Sequence, residues 1–234
     1  EYLRREQRDT AQHHVQTGAR PLTAAGTEKV AGILLAAGEG ARFGGHKQFQ
    51  RLGGERLADR ALRLIRPHCA EIVVALPGAV QWDGAEMMVT GGKSRLESLR
   101  LAMAAVSDEA SIVVVQDCIR PLTRDDVVDD LLRAVRNGAD AAIPAFTPSD
   151  VIKCRSPDGS LAHVGREELV VAQSPNACRA LILHQALEQT SPDAFIEETQ
   201  AIEAIGGRVV AVEGDPWAHH IIDDIDLAAT KRLV

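Results

Sequence analysis

The sequence predicts an α/β fold: a three-layer sandwich on a mainly parallel sheet, with a β-arm projecting from it. Three observations point there. Short runs recur that are apolar on both faces, as strands buried inside a parallel sheet must be. Between them lie segments whose apolar residues repeat at helical spacing. The two kinds alternate along nearly the whole chain, the pattern of parallel strands joined by crossover helices.

Residues 1–28 are polar and lack a sustained apolar period, so they read as a flexible N-terminal extension in which His13 and His14 are solvated. Residues 29–234 are expected to form one domain. Strands are expected at VAGILLAA (30–37), EIVVALP (71–77), EMMVTG (86–91), SIVVVQD (111–117), DAAIPAF (140–146) and GRVVAVEG (207–214). Leu57, Ala61, Leu64 and Ile65 share one helix face, as do Leu96, Leu99, Met103 and Val106. Thr123 and Asp126 suggest a capping box opening a helix that Gly138 ends. Another helix reads from Ile196 to Ile205 and is closed by Gly206 and Gly207. The segment 146–175 breaks the rhythm. Its turn signal at Ser156–Gly159 lies between two extended stretches, so it reads as a hairpin or arm off the main sheet.

The chain has 234 residues, 45% of them apolar and 25% charged, the balance of an ordinary soluble globular protein. A net charge of −7 gives no electrostatic case for binding nucleic acid. No run approaches the roughly 18 apolar residues of a membrane helix, and no signal-peptide pattern is seen. Cys69, Cys118, Cys154 and Cys178 lie far apart with no CxxC pair, which suits free thiols in a reducing cytoplasm. A cytoplasmic location is therefore expected.

The chemistry begins at LLAAGEGARFGGHKQF (34–49), a glycine-rich turn after an apolar run, a pattern that cradles phosphate. A dinucleotide fingerprint fails because Phe43 stands at its third glycine. GGKS (91–94) is not the end of a Walker A loop, because Met87 stands where the first glycine belongs. What remains is a phosphate loop of another kind. Gly38 and Gly40 let the backbone approach a triphosphate, while Arg42 and Lys47 supply positive charge where pyrophosphate leaves.

This loop resembles the signature of GT-A-like nucleotidyltransferases. GGKSRLESL (91–99), QDCIRPL (116–122) and VAVEGDPW...DDIDLA (211–228) narrow the resemblance to the 2-C-methyl-D-erythritol 4-phosphate cytidylyltransferases. It runs in order from about Val30 to the C-terminus and implies a Rossmann-like nucleotidyltransferase sheet. It also implies transfer of CMP from CTP to a polyol phosphate, with release of pyrophosphate and with Mg²⁺ as cofactor. By resemblance, Arg42, Lys47 and the position of His220 are catalytic, and Asp117 binds the metal. The backbone at Ala36, Ala37 and Gly92, with the Ser98 hydroxyl, reads the cytosine, while Arg95 is open to a salt-bridge role. Arg120, Val151 and Arg166 belong to the acceptor side, with Lys153 beside them. The arm implies a homodimer in which it reaches the neighbouring active site.

The chain departs from the family pattern mainly at the acceptor end. Val151 stands for a threonine, Glu197 for an aspartate and His220 for a second catalytic lysine. A histidine with an ordinary pKa of about 6.5 is only partly charged near neutrality, so His220 is expected to donate to phosphate or to join Asp223, Asp224 or Asp226 on a metal. Nearer the nucleotide, Lys93 replaces an aspartate, Gln116 replaces a histidine, and the span from Arg42 to Lys47 is short. The function expected is cytidylyl transfer to 2-C-methyl-D-erythritol 4-phosphate in isoprenoid precursor synthesis. The alternatives are another acceptor, such as ribitol 5-phosphate, or a nucleotide-binding paralogue with impaired catalysis.

Overall fold

A computed structural model describes residues 28–38, 40, 45–78, 80–191, 193–195 and 197–234. Arg42, Phe43, Ile196 and nearly all of the N-terminal extension lie outside the described residues.

The apolar runs all become strands. β1 (Lys29–Leu35) is buried from Val30 onward. A small antiparallel pair, β2 (Arg51–Leu52) and β3 (Glu55–Arg56), leads into helix α1 (Leu57–Ile65). Next come β4 (Glu71–Leu76), β5 (Met87–Thr90), helix α2 (Arg95–Met103) and β6 (Ala110–Asp117). Helix α3 (Val127–Arg136) then crosses to β7 (Ala141–Phe146). β1 lies between β4 and β6 and is parallel to both, with Ile33 beside Val73 on one side and Val115 on the other.

After β7 the chain forms a separate hairpin. β8 (Lys153–Arg155) pairs with β9 (Leu161–His163), and all six residues are exposed. Its turn is closed by Gly159 N–H donating to Ser156 O at 2.9 Å. Gly159 has φ +86°, a left-handed conformation that suits glycine. The chain returns as β10 (Val171–Ala172) and β11 (Asn176–Arg179), both antiparallel to β7. Helices α4 (Ala180–Gln189) and α5 (Glu198–Ala204) follow, then β12 (Val209–Glu213) parallel to β7, and α6 (Asp224–Thr230). The order across the sheet is β10-β7-β11-β6-β1-β4-β5, with β12 added on β7.

Two cores make the three layers. On one face α1 and α3 bury Ala61, Ile65, Val128, Leu131 and Val135 against Leu34, Val74 and Val114. On the other, α2, α4 and α5 bury Leu96, Leu99, Leu183 and Ile202 against Ile33, Val73 and Val115. The alternation of Val113 and Val115 with Val114 between the two cores is the period of two that a strand imposes.

Several local expectations are corrected. Helix α2 ends at Met103, so Val106 packs on the same core from beyond the helix. The capping box at α3 does not form. Thr123 Oγ1 donates to Arg120 O at 2.9 Å, and Arg124 takes the Asp126 carboxylate at 2.8 Å. Helix α5 begins at Glu198, with Glu197 as its N-cap. The antiparallel β10 and β11 and the helix α4 were not anticipated from the sequence. Among the described residues no helix is long and apolar enough to cross a membrane.

Candidate active site

Because β4 and β6 flank β1 on opposite sides, the connections leaving their C-terminal ends diverge and open a crevice there. A cleft of about 740 Å³ occupies it, lined by the ends of β1, β4 and β6 and the turn into α2, with Lys47 and His220 on its walls.

β1 ends at the cleft, where the chain runs on through Ala36 and Ala37. Ala36 N–H donates to Ala75 O at 3.0 Å, and its carbonyl accepts from buried Gln48 Nε2 at 2.8 Å, which fixes the backbone at the strand end. Of the pair, Ala37 lines the cleft, as do Gly38 and Gly40. Gly40 has φ +66°, and a Cβ there would sit 1.8 Å from Gly45 O, so only glycine fits.

The turn into α2 is fixed by its own side chains. Ser94 caps the helix by accepting from Glu97 N–H at 3.1 Å. Glu97 accepts from Lys93 N–H at 2.6 Å. Ser98, buried, donates to Ser94 O at 2.9 Å and accepts from Gly92 N–H at 3.0 Å. The Gly92 N–H is thus engaged within the turn. A hydroxyl has one proton and two lone pairs, so Ser98 keeps one acceptor site at the cleft. Gly91 packs its backbone directly on Ala37, whose Cβ would lie 2.1 Å from a Cβ at that position.

Asp117 ends β6 and lines the cleft. Arg95 takes both of its oxygens, Nε to Oδ1 at 3.0 Å and Nη2 to Oδ2 at 3.4 Å. Burial opposes the guanidinium charge, but Glu198 and Asp117 more than offset this and hold the Arg95 pKa above its ordinary value. Glu197, in the same polar cluster, has its pKa raised by burial and by Glu198. Cys118 also lines the cleft, and burial pushes its thiol up to about 12, so it stays protonated and is no nucleophile.

The opposite wall is the loop before α6. Lys47 Nζ donates to Ile221 O at 3.0 Å. Arg120 donates to Ala218 O at 2.8 Å and Ala172 O at 3.4 Å. Gln173 donates to Asp215 O at 2.7 Å and accepts from Asp215 N–H at 2.9 Å. The clamped loop carries His220 into the cleft. Crowding by protein atoms, with the cations Arg120 and Lys47, lowers the His220 pKa to about 4. In this arrangement His220 is neutral, not partly charged as its ordinary pKa suggested.

The sequence also offered a metal site at His220 with nearby aspartates, and the structure turns two of those carboxylates elsewhere. Asp223 accepts from Ile225 and Asp226 N–H at 2.9 and 3.0 Å, and Asp226 from Ile222 and Asp223 N–H at 2.7 and 3.2 Å. Among the described residues no group of three or more His, Cys, Asp or Glu is placed to hold a metal ion. Among the described residues, the Asp117 carboxylate at the cleft is a donor of the kind Mg²⁺ takes, one or two carboxylates with substrate phosphate oxygens and water.

Val151, Lys153 and Arg166 are not brought to this cleft. Val151 and Lys153 are exposed on the hairpin segment, and Arg166 donates to Ser149 O at 2.6 Å. Sequence reasoning missed Gln48, Gln173 and Glu198. Their signal is burial of a polar side chain, which no local spacing reveals.

The model of the family described as 2-C-methyl-D-erythritol 4-phosphate cytidylyltransferase matches residues 30–234. The protein of that name from Saccharopolyspora erythraea is 33% identical over 222 residues, covering 88% of this chain and 99% of the relative. Its counterpart from Frankia casuarinae is 32% identical over 219 residues, covering 88% and 81%. The crystal structure of the enzyme from Thermus thermophilus is 27% identical with a TM-score of 0.76, covering 88% of this chain and 98% of that one. A match that takes in the whole cleft and nearly the whole chain places this protein in the 2-C-methyl-D-erythritol 4-phosphate cytidylyltransferase family.

Proposed function

We propose that this chain transfers CMP from CTP to 2-C-methyl-D-erythritol 4-phosphate, a step of isoprenoid precursor synthesis by the non-mevalonate route. An acceptor phosphate oxygen bonds to the α-phosphorus of CTP, the bond to the β-phosphate oxygen breaks, and pyrophosphate leaves. The observation that carries the reading is the cleft at the strand ends. There Lys47, Asp117 and the Gly91–Ser98 turn converge in a chain that belongs to this family.

Lys47, with Arg42 from the glycine-rich loop, holds the triphosphate and offsets charge developing on the leaving pyrophosphate. Gly38 and Gly40 leave room for phosphates against the backbone. Ala37 and Ser98 face the base. The remaining lone pair of Ser98 accepts from the cytosine amino group and repels the uracil carbonyl, which selects CTP over UTP. Asp117 would hold Mg²⁺, which supplies charge neutralisation on the phosphates when bound. His220, neutral, donates one ring N–H to phosphate where a lysine would have offered a fixed charge.

The acceptor is completed by a second copy of the chain. The hairpin is a separate two-stranded sheet, and Val151, Leu161 and Val170 on its segment are exposed at 69%, 59% and 60%, the kind of surface a homodimer covers. In that dimer Arg166 of the hairpin grips the acceptor phosphate, beside Arg120 of the receiving subunit. A second reading, transfer to another polyol phosphate such as ribitol 5-phosphate, is favoured by apolar Val151 and neutral His220. Pyrophosphate release from CTP, measured with each acceptor and with and without Mg²⁺, tests both. Release that requires Mg²⁺ and 2-C-methyl-D-erythritol 4-phosphate is expected; CTP binding with no release for any acceptor would refute both.

A further inference from the structure

Below the cleft, Asp117 is tied into a buried network for which the roles above give no use. Arg95 grips both Asp117 oxygens, and its third nitrogen, Nη1, donates to Glu198 Oε2. The Glu198 side chain is 0% exposed, against 25% for Arg95 and 22% for Asp117. Its other oxygen accepts from Asn176 Nδ2 at 2.7 Å. Asn176 lies on β11 opposite Val115, two residues before Asp117 on β6. The chain of contacts therefore starts and ends on the same stretch of β6. It passes through the first residue of α5 and the first residue of α2.

We infer that Glu198 is a positioning residue for cytidylyl transfer, acting through Arg95 to fix the carboxylate of Asp117 at the cleft. The inference rests on the activity proposed above. Glu198 is sealed from the cleft and cannot touch a nucleotide. A buried carboxylate is stable only if its lone pairs are met, and here Arg95 and Asn176 meet them. Arg95 in turn has a planar fork whose orientation is set once one nitrogen is committed to Glu198. With Glu198 neutral, Arg95 loses the contact that sets the orientation of its fork, and Asp117 loses the fixed partner that holds both its oxygens. A displacement of about 1 Å at a reacting centre costs on the order of 10²-fold in rate.

The test compares the full-length protein with Glu198→Gln, which keeps the shape and the bond from Asn176 while removing the charge. Circular dichroism and melting check that the variant folds. Steady-state kinetics then separate kcat from the KM for CTP, and calorimetry reads CTP binding as Mg²⁺ is varied. The expected result is kcat lowered by about 10- to 100-fold, KM for CTP within about twofold, and several-fold more Mg²⁺ needed to half-saturate CTP binding. Glu198→Asp restores part of kcat. In the Asp117→Asn background, Glu198→Gln adds no further loss, because its only route is through Asp117.

A folded Glu198→Gln with unchanged kcat and unchanged Mg²⁺ dependence would overturn the inference, as would a full additional loss in the Asp117→Asn background. If Glu198→Gln does not fold, Arg95→Lys carries the same test, since it leaves Glu198 a cation but removes the fork. If the parent protein turns over no acceptor, the proposed function fails. The Mg²⁺ dependence of CTP binding then decides the inference on its own.

Discussion

Ser98 does two jobs with one hydroxyl: it holds the Gly92 N–H and keeps a lone pair at the cleft wall. Ser98→Ala takes the hydroxyl partner from the half-buried Gly92 N–H, at a cost of about 1 kcal/mol, and removes the acceptor for the cytosine amino group. The expected outcome is a lower melting temperature together with a ratio of CTP to UTP kcat/KM reduced about 10-fold or more. Steady-state kinetics with both nucleotides check it. At His220 the sign of the pH effect follows from a pKa lowered to about 4. An unfolded chain takes up this proton below about pH 6.5, whereas the folded chain refuses it until much lower pH. The stability this position contributes is therefore full above about pH 6.5 and is lost as pH falls toward about 4. Denaturant midpoints for His220→Asn should fall less steeply than those of the parent between about pH 7 and pH 5. Identical slopes would show that His220 keeps an ordinary pKa.

The elements explain why the site could be read in part from the sequence. β1, β4, β5, β6, β7 and β12 announce themselves as runs apolar on both faces, and their alternation with helices leads to the sandwich. Lys47, Asp117 and the turn before α2 lie at or just past the ends of such runs, so the sheet brings them together. What stayed hidden depends on contacts distant in sequence. β11 carries Asn176 beside Glu198, and Gln173 and Arg120 clamp the loop of His220 through backbone carbonyls. The failed capping box at α3 is a local competition instead: Arg124, two residues away, captures Asp126 while also reaching Glu213 O on β12. At the β5–α2 turn, Gly91 is required by closeness to Ala37, since a Cβ would lie 2.1 Å from the Ala37 Cβ. That methyl group is fixed to the backbone and cannot rotate away, so Gly91→Ala must shift the turn. Overpacking of this kind costs about 1–3 kcal/mol. The expected result is a lower melting temperature and a KM for CTP raised about 10-fold, because the turn carries Gly92 and reaches Ser98.

At the scale of the whole molecule, the proposed dimer raises the question of which subunit each hairpin serves. Lys47 lines the cleft of its own chain, while Arg166, Val151 and Lys153 lie on a segment outside that cleft. If the hairpin completes a neighbouring site, Lys47→Ala and Arg166→Ala proteins, each nearly inactive, regain activity when mixed and allowed to exchange subunits. In such a mixed dimer one site has both an intact Lys47 and an intact Arg166. No regain, with subunit exchange verified, would place the hairpin's role within its own subunit. The same arrangement bears on acceptor choice, since Val151 and His220 both face the acceptor in the proposed dimer. The central claim is the reaction itself, and a competition assay tests it most directly. Purified protein is given CTP, Mg²⁺ and equimolar 2-C-methyl-D-erythritol 4-phosphate and ribitol 5-phosphate, and the products are resolved by mass spectrometry. The account predicts that CMP goes predominantly to 2-C-methyl-D-erythritol 4-phosphate, with one pyrophosphate for each product formed. CMP transferred predominantly to ribitol 5-phosphate, or bound CTP with no transfer at all, would contradict it.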